Sequence, residues 1–145
     1  ARRINEHIRT GMAPEYTTDS RECRICPHYG RACVPPISFG AGAQIITGVS
    51  GRRIYICSLN LVSATAQNMA VVAGTGTVCA TSTVAVPGTS GVSTAATGWN
   101  FAANEGIALG SGLGAIAKTT VNADNLCILQ SGSGQLSGGI SYAIY

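Results

Sequence analysis

The stretch RRIYICSLNLV, residues 52–62, is the clearest strand in this sequence of 145 residues and decides the fold class. A turn signal, VSG at residues 49–51, comes directly before it. Side chains alternate between the two faces of a strand. The stretch therefore predicts two faces, with Ile54, Ile56 and Ser58 on one and Tyr55, Cys57, Leu59 and Leu61 on the other.

Short strand-like stretches, separated by turn signals rich in Gly, Pro, Ser and Asn, extend on both sides of residues 52–62. No helical period of any length interrupts them. The stretches are residues 44–47, 68–73, 78–80, 83–86, 99–102, 107–109, 118–121, 125–130 and 139–145. Many short strands with turns between them are typical of an antiparallel β-sandwich or a small barrel, so we predict an all-β fold.

Charge is distributed unevenly along the chain. Charged residues are 10% of the sequence, well under the roughly 25% of an average soluble domain. Six of the nine basic residues and four of the six acids lie in the first 34 positions, whereas only Glu105, Lys118 and Asp124 are charged from residue 54 onward. This change predicts an extended N-terminal arm, residues 1–36, followed by a β-sandwich domain, residues 37–145.

Composition excludes several classes of protein. Apolar residues make up 46% of the chain, which argues against a disordered protein, and the shortage of charged side chains argues against a coiled coil. No apolar run reaches the length of about 18 residues that a membrane span needs, and the start ARRINE lacks the apolar core of a secretory signal. The net charge of +3 is too small to predict nucleic-acid binding.

Catalytic residues are scarce in the domain. Histidine is absent after Pro36, so a Ser–His–acid triad would need His7 or His28 of the arm. The two carboxylates Glu105 and Asp124 could form a glycosidase pair, but Asp and Asn side chains more often stabilise turns. We therefore expect a protein that is not an enzyme.

Cysteine and histidine cluster in the arm, in the stretch CRICPHYGRAC, residues 23–33. Zinc prefers tetrahedral N and S ligands, and a Cys-x-x-Cys pair is the common first half of such a site. We therefore predict a zinc site, the one cofactor we expect, formed by Cys23, Cys26, His28 and Cys33. A disulfide or plain thiols are the alternatives.

Three further cysteines, Cys57, Cys79 and Cys127, lie in strand-like stretches. Free cysteine usually packs as a small apolar residue, and a reducing cytoplasm keeps thiols reduced. We therefore expect three packed thiols. A Cys79–Cys127 or a Cys57–Cys127 bridge is the alternative, because sequence alone does not give the connectivity.

Two groups of residues are candidates for binding. Trp99 and Asn100 could stack against a sugar, although a lone Trp more often fills a core or an interface. The planar guanidinium group of arginine pairs bidentately with carboxylates. We therefore predict contacts to partner subunits by the six arginines of the arm, Arg2, Arg3, Arg9, Arg21, Arg24 and Arg31.

Three short stretches of the domain carry a resemblance to a known family: residues 45–56 (IITGVSGRRIYI), 102–109 (AANEGIAL) and 138–145 (GGISYAIY). They resemble small β-sandwich proteins found on the particles of tailed bacteriophages. The resemblance implies a jelly-roll-like sandwich of about eight strands. It also implies a capsid decoration or cement protein, that is, a non-enzymatic structural part of the virion.

Partners and localisation follow from this resemblance together with the low charge of the domain and the interleaved arginines and acids of the arm. A decoration protein is assembled in the host cytoplasm and lies on the capsid exterior. It contacts the major capsid protein and further copies of itself, here as a trimer or a dimer, and the arm would tie neighbouring capsid subunits together. We expect neither a nucleic acid nor a membrane as a partner. The alternative is a fibre or tail-associated module that binds a receptor or a carbohydrate.

Overall fold

Two antiparallel β-sheets form a sandwich in the computed structural model, which describes residues 36–111 and 113–145. Sheet A contains β1 (Pro36–Phe39), β3 (Ile54–Ser63), β7 (Gly106–Leu109), β8 (Ala117–Lys118) and β10 (Leu136–Ile144). Sheet B contains β2 (Ala43–Ile46), β4 (Gln67–Thr75), β5 (Thr81–Ala85), β6 (Trp99–Phe101) and β9 (Asn125–Gln130). The predicted all-β sandwich is confirmed. No helix within the described ranges has the length and apolar character needed to cross a bilayer.

The strands pair in a nested order that defines the topology. β1 pairs with β10 and β2 with β9, while β3 pairs with β7 and β8, and β4 with β5 and β6. Such nested pairing over two sheets is a jelly roll, an architecture shared by viral capsid and lectin domains. β5 and β6 together occupy one strand position beside β4, and residues 86–98 interrupt that position. β7 and β8 likewise occupy one position beside β3, which residues 110–116 interrupt. The ten strands therefore fill the eight positions of a jelly roll.

A β-bulge in β3 corrects the predicted faces of that strand. Ile56 lies opposite Tyr142 and Ser58 lies opposite Ser141, so Cys57 is an extra residue without a counterpart in β10. A bulge shifts the alternation of side chains by one position. The prediction that Leu59 and Leu61 face away from Ile54 and Ile56 is therefore wrong, and all four side chains belong to the core.

The inner faces of the two sheets enclose the main hydrophobic core. Burying each large aliphatic side chain stabilises the fold by roughly 1.5–3 kcal/mol. β1, which the sequence analysis did not predict, contributes Ile37. The largest fully buried side chains of the main core come from β3, β4, β9 and β10, together with Val86 directly after β5, and are Ile54, Ile56, Leu59, Leu61, Met69, Val71, Val86, Leu126, Ile128, Leu136 and Ile140.

A second, smaller cluster covers the outer face of sheet B. Ala70 and Val72 of β4 pack there with Cys79 and Cys127, and all four are fully buried. Cys79 ends a 3-10 turn, Thr77–Cys79, and its sulfur is bonded to that of Cys127 on β9. The predicted strand at residues 78–80 is therefore wrong, and so is the expectation of plain thiols at these two cysteines.

Candidate functional site

An uncharged surface crosses four strands on the outer face of sheet A. Ser38, Ser137, Val62 and Gly106 lie opposite one another in one row, and Asn60 pairs with Ala108 in the next. All six residues are exposed, and the exposed fraction of Val62 reaches 49%. We call this surface the neutral patch: Ser38, Asn60, Val62, Gly106, Ala108 and Ser137. The alternation of small or polar residues with buried ones along β3 and β10 is its only signal in the sequence.

Positive charge lies at the opposite end of β3 from the neutral patch. Arg52 and Arg53 precede β3, and the Nε of Arg53 donates a hydrogen bond to Oδ1 of Asn122 at 2.9 Å. Lys118 pairs with Tyr55 across β3 and β8, and its ammonium group lies 5.9 Å from the centre of the Tyr55 ring. These three cations are the only basic side chains among the described residues.

A groove of about 470 Å³ opens beside Lys118. Its walls are largely apolar and include Pro87, Ile116 and the Tyr55 side chain, while Lys118 and Thr120 supply polar groups. Apolar walls with a few polar groups are typical of small-ligand sites. The arrangement could hold an anionic group against Lys118.

The two carboxylates of the domain lie at opposite ends of the sandwich. The backbone of Glu105 accepts a hydrogen bond from Ser63 at the end of β3, whereas Ala123, next to Asp124, bonds to Arg52 before the start of β3. The length of β3 separates these ends by roughly 30 Å. A glycosidase pair needs carboxyl groups within about 10 Å of each other, so these two residues do not form one.

Each carboxylate has a local structural setting. Oε2 of Glu105 accepts a hydrogen bond from the backbone N–H of Ala102 at 2.7 Å and so closes its own turn. Asp124 is only 5% exposed, and this burial raises the pKa of its carboxyl group because a low-dielectric surrounding disfavours the charged form. Glu105 therefore stabilises a turn.

Trp99 and Asn100 point to opposite faces of β6. The Trp99 ring is half-buried, packs against the core and meets Phe101 edge-to-face, with ring centroids 6.5 Å apart. Asn100 is exposed and lies opposite Asn68. The structure therefore joins Trp99 to Phe101 and does not bring Trp99 and Asn100 together on one surface. A role of either residue in sugar binding stays a prediction.

The other predicted site residues lie outside the described residues. These are the zinc ligands Cys23, Cys26, His28 and Cys33 and the arginines Arg2, Arg3, Arg9, Arg21, Arg24 and Arg31, and both roles stay predictions. Within residues 36–111 and 113–145, no three His, Cys, Asp or Glu side chains come together as metal ligands. Cys57, like Cys79 and Cys127, is disulfide-bonded, so the expectation of a plain thiol is wrong there too.

Comparison with known proteins adds no relative. The chain matches no family model, no curated protein and no solved structure.

Proposed function

We propose that this chain is a non-enzymatic structural protein of a virus particle, a capsid decoration or cement protein on the capsid exterior. The neutral patch is the observation that carries the proposal. It is a surface four strands wide, without a charged side chain, on a jelly roll of the kind that viral capsid proteins use. The resemblance of residues 45–56, 102–109 and 138–145 to phage decoration proteins supports the same role.

The physical argument concerns the cost of removing this surface from water. Burying hydroxyl and amide groups that find hydrogen-bond partners costs far less than burying ions. Soluble monomers usually carry a surface of interspersed charges, whereas no charged residue lies between residues 54 and 104 of this chain. Such a surface can pack closely against the major capsid protein or against a second copy of the chain. Many weak contacts then add up over a lattice of repeated sites.

The arm supplies the second part of the proposal. An arm of 36 residues spans about 120 Å when fully extended, which is long enough to reach neighbouring subunits. Its arginines would pair with carboxylates of the major capsid protein. In this account the sandwich forms a trimer or a dimer on the shell, and the arm ties adjacent subunits together after assembly in the host cytoplasm.

A pair of nearly isosteric substitutions tests whether the neutral patch is the surface that contacts the capsid. Asn60→Asp places one charge in the neutral patch, and Asn100→Asp places the same charge on an exposed position of sheet B. We expect N60D to bind capsid shells that lack the protein at least tenfold more weakly than the wild-type chain. N100D, the matched control, should bind as the wild type does. Equal binding by N60D and the wild type would contradict docking through the neutral patch.

A second candidate function is a fibre or tail-associated module that binds a receptor or a carbohydrate. The groove beside Lys118 favours it, because lectins share the jelly roll and the groove combines apolar walls with a cation and a hydroxyl group. The test is binding to an array of acidic and neutral glycans. Binding that Lys118→Met abolishes and Lys118→Arg retains would favour this function over decoration.

A further inference from the structure

We propose that β7, an edge strand of sheet A, pairs with β7 of a second copy and so joins two chains through one continuous sheet. β7 lies beside β3, and no strand of the described residues lies beyond it. The inference concerns association between two copies of the chain and does not depend on the virion role.

Alternation along β7 decides which of its backbone groups point out of the sheet. The N–H of Ser63 donates a hydrogen bond to the backbone oxygen of Glu105 at 2.8 Å, so the backbone of Glu105 is directed toward β3. Successive residues of an antiparallel strand direct their N–H and C=O groups to alternate sides. Ile107 therefore bonds to β3, whereas Gly106 and Ala108 present their backbone groups at the edge.

The backbone groups of this edge are open to a partner. Gly106 and Ala108 are both exposed. Apart from the pairing with β3, neither residue takes part in a backbone hydrogen bond within residues 36–111 and 113–145. Each has one donor and one acceptor that an added strand could bind.

The other edge strands of the described domain carry features that hinder pairing. Natural sheets protect their edges with proline, charge, bulges or very short strands. β1 begins with Pro36, and the register of β2 shifts between Gln44 and Ile46. β5 contains Ser82 with a positive φ of 53°, β6 has three residues, and β8 has two, one of which is Lys118. β7 differs from them, because its four residues pair in unbroken register and include neither proline nor charge.

A second copy of β7 is the partner that fits this edge. When the two strands run antiparallel, Gly106 of one copy lies opposite Ala108 of the other, and Ile107 lies at the two-fold axis. The two pairs of outward-directed residues then form four backbone hydrogen bonds. Such an interface is isologous, with the same strand on both sides. Since the other described edges are protected, the unprotected counterpart of β7 is β7 of another copy.

Side chains beside the edge allow two copies to approach. Glycine and alanine face each other across the axis, and neither adds bulk there. Glu105 is the nearest charged residue in sequence, one position before β7. In the proposed register the two Glu105 residues lie roughly 14 Å apart, which exceeds the screening length of about 8 Å at physiological salt. Repulsion between them is therefore small.

Pairing of this kind enlarges the neutral patch and does not cover it. Gly106 and Ala108 belong to the patch, so two patches lie side by side on the outer face of the joined sheet. The contact itself is smaller than a standard protein interface, and we expect the two copies to associate weakly in solution. A lattice that binds both patches at once would strengthen the association.

Analytical ultracentrifugation of the full chain at increasing concentration tests the pairing. We expect a monomer–dimer equilibrium that is mostly dimer at about 1 mM chain, as for weak, transient contacts. Ala108→Pro removes an N–H that β3 does not use, and Ala108→Lys places like charges beside the axis. Each variant should raise the dissociation constant at least about tenfold. Ala96→Lys, the matched control, adds the same charge at an exposed position before β6 and should leave the constant unchanged.

Several results of this experiment would overturn the inference. Antiparallel pairing of one edge is complete with two copies, so a chain that stays monomeric at about 1 mM, or that forms a trimer, contradicts it. A dimer with the same dissociation constant in the wild type, A108P and A108K also contradicts it. None of these results decides whether the neutral patch binds the capsid, which the N60D variant tests separately.

A cross-link tests the register and does not require a change at Ala108. In the proposed dimer Ile107 forms a non-hydrogen-bonded pair with its own copy, with Cα atoms about 4.5 Å apart, which a disulfide can span. Mild oxidation of the Ile107→Cys variant should give a covalent dimer that peptide mapping shows to be linked through position 107. Leu109→Cys, the control, lies opposite Glu105 of the other copy and should give no link through position 109. A link at 109 without one at 107 would contradict this register.

Discussion

Cys79 and Cys127 form a disulfide that holds the Thr77–Cys79 turn against the outer face of sheet B. Their Cα atoms are 6.1 Å apart, and the bond closes a loop across 48 positions of sequence. The two half-cystines also complete the small cluster with Ala70 and Val72. One covalent bond thus helps to cover this part of the outer face of sheet B, whereas the neutral patch of sheet A is exposed.

Removal of this disulfide should lower the stability of the fold. The chain-entropy estimate for a loop of this length is about 4 kcal/mol, so we expect Cys79→Ala/Cys127→Ala to lose about 2–4 kcal/mol of unfolding free energy. Urea unfolding followed by Trp99 fluorescence measures the loss. If the double variant has the same urea midpoint and the same dependence of unfolding free energy on urea as the wild type, the bond does not constrain the unfolded chain.

Gly98 should tolerate no side chain. A Cβ atom at this position would lie 1.9 Å from the backbone oxygen of Met69 in the neighbouring strand. Relief of this clash must separate β6 from β4, and we expect Gly98→Ala to cost about 2–3 kcal/mol. Gly114→Ala is the matched control, because nothing lies within 4 Å of its added atom, and it should change stability by less than about 0.5 kcal/mol. Equal melting temperatures for the two variants would contradict this packing.

Asp124 should make stability depend on pH. Burial raises the pKa of its carboxyl group in the folded state above the ordinary value of 3.8. The folded state therefore prefers the protonated form, and the contribution of Asp124 to stability is greatest at low pH and falls as the pH rises through the raised pKa. We expect Asp124→Asn to melt at a higher temperature than the wild type at pH 7 and at the same temperature near pH 3.

The control for Asp124 is Glu105→Gln, which removes a carboxylate from an exposed turn. It should not raise the melting temperature at pH 7, because Glu105 accepts a backbone hydrogen bond there. A gain for D124N that is equally large at pH 3 and pH 7 would show that the charge of Asp124 is not its cause.

Trp99 and Asn100 should differ sharply in their effect on stability. Trp99 packs against the core and against Phe101, and aromatic pairs add about 0.5–1.5 kcal/mol to the free energy of burial. We expect Trp99→Ala to destabilise the fold by about 2–3 kcal/mol, toward the lower end for a large-to-small substitution because the ring is half-buried. Asn100→Ala should stay within about 0.5 kcal/mol of the wild type. A fully stable W99A variant would instead point to a surface role for the ring.

Hydrophobic alternation predicted most of the sheets but not their irregularities. The strand at residues 125–130 was predicted with its observed bounds, because a short continuous apolar run between turn residues is typical of a buried strand. The faces of β3 were predicted wrongly, since one extra residue at Cys57 reverses the pattern and leaves no mark in composition. Val78 has a positive φ of 52°, a conformation that β-branched residues rarely adopt, so the local sequence did not indicate the 3-10 turn there.

The candidate surfaces were harder to predict than the fold. Serine, glycine and alanine are common in turns and on strand surfaces alike, so the neutral patch depends on the register that brings Ser38, Ser137, Val62 and Gly106 into one row. The adjacency of Trp99 and Asn100 in sequence suggested one site, whereas neighbours on a strand face opposite sides. Nested pairing of β1 with β10 and β2 with β9 likewise joins segments that are distant in sequence.

Imaging of the assembled virus particle tests the central claim most directly. Cryo-electron microscopy, with mass spectrometry to count copies, should show a jelly-roll density on the outside of the capsid, in hundreds of copies, with the neutral patch against capsid protein or a second copy. Absence of the chain from purified particles would contradict the account, and a handful of copies at the tail would favour the receptor-binding alternative.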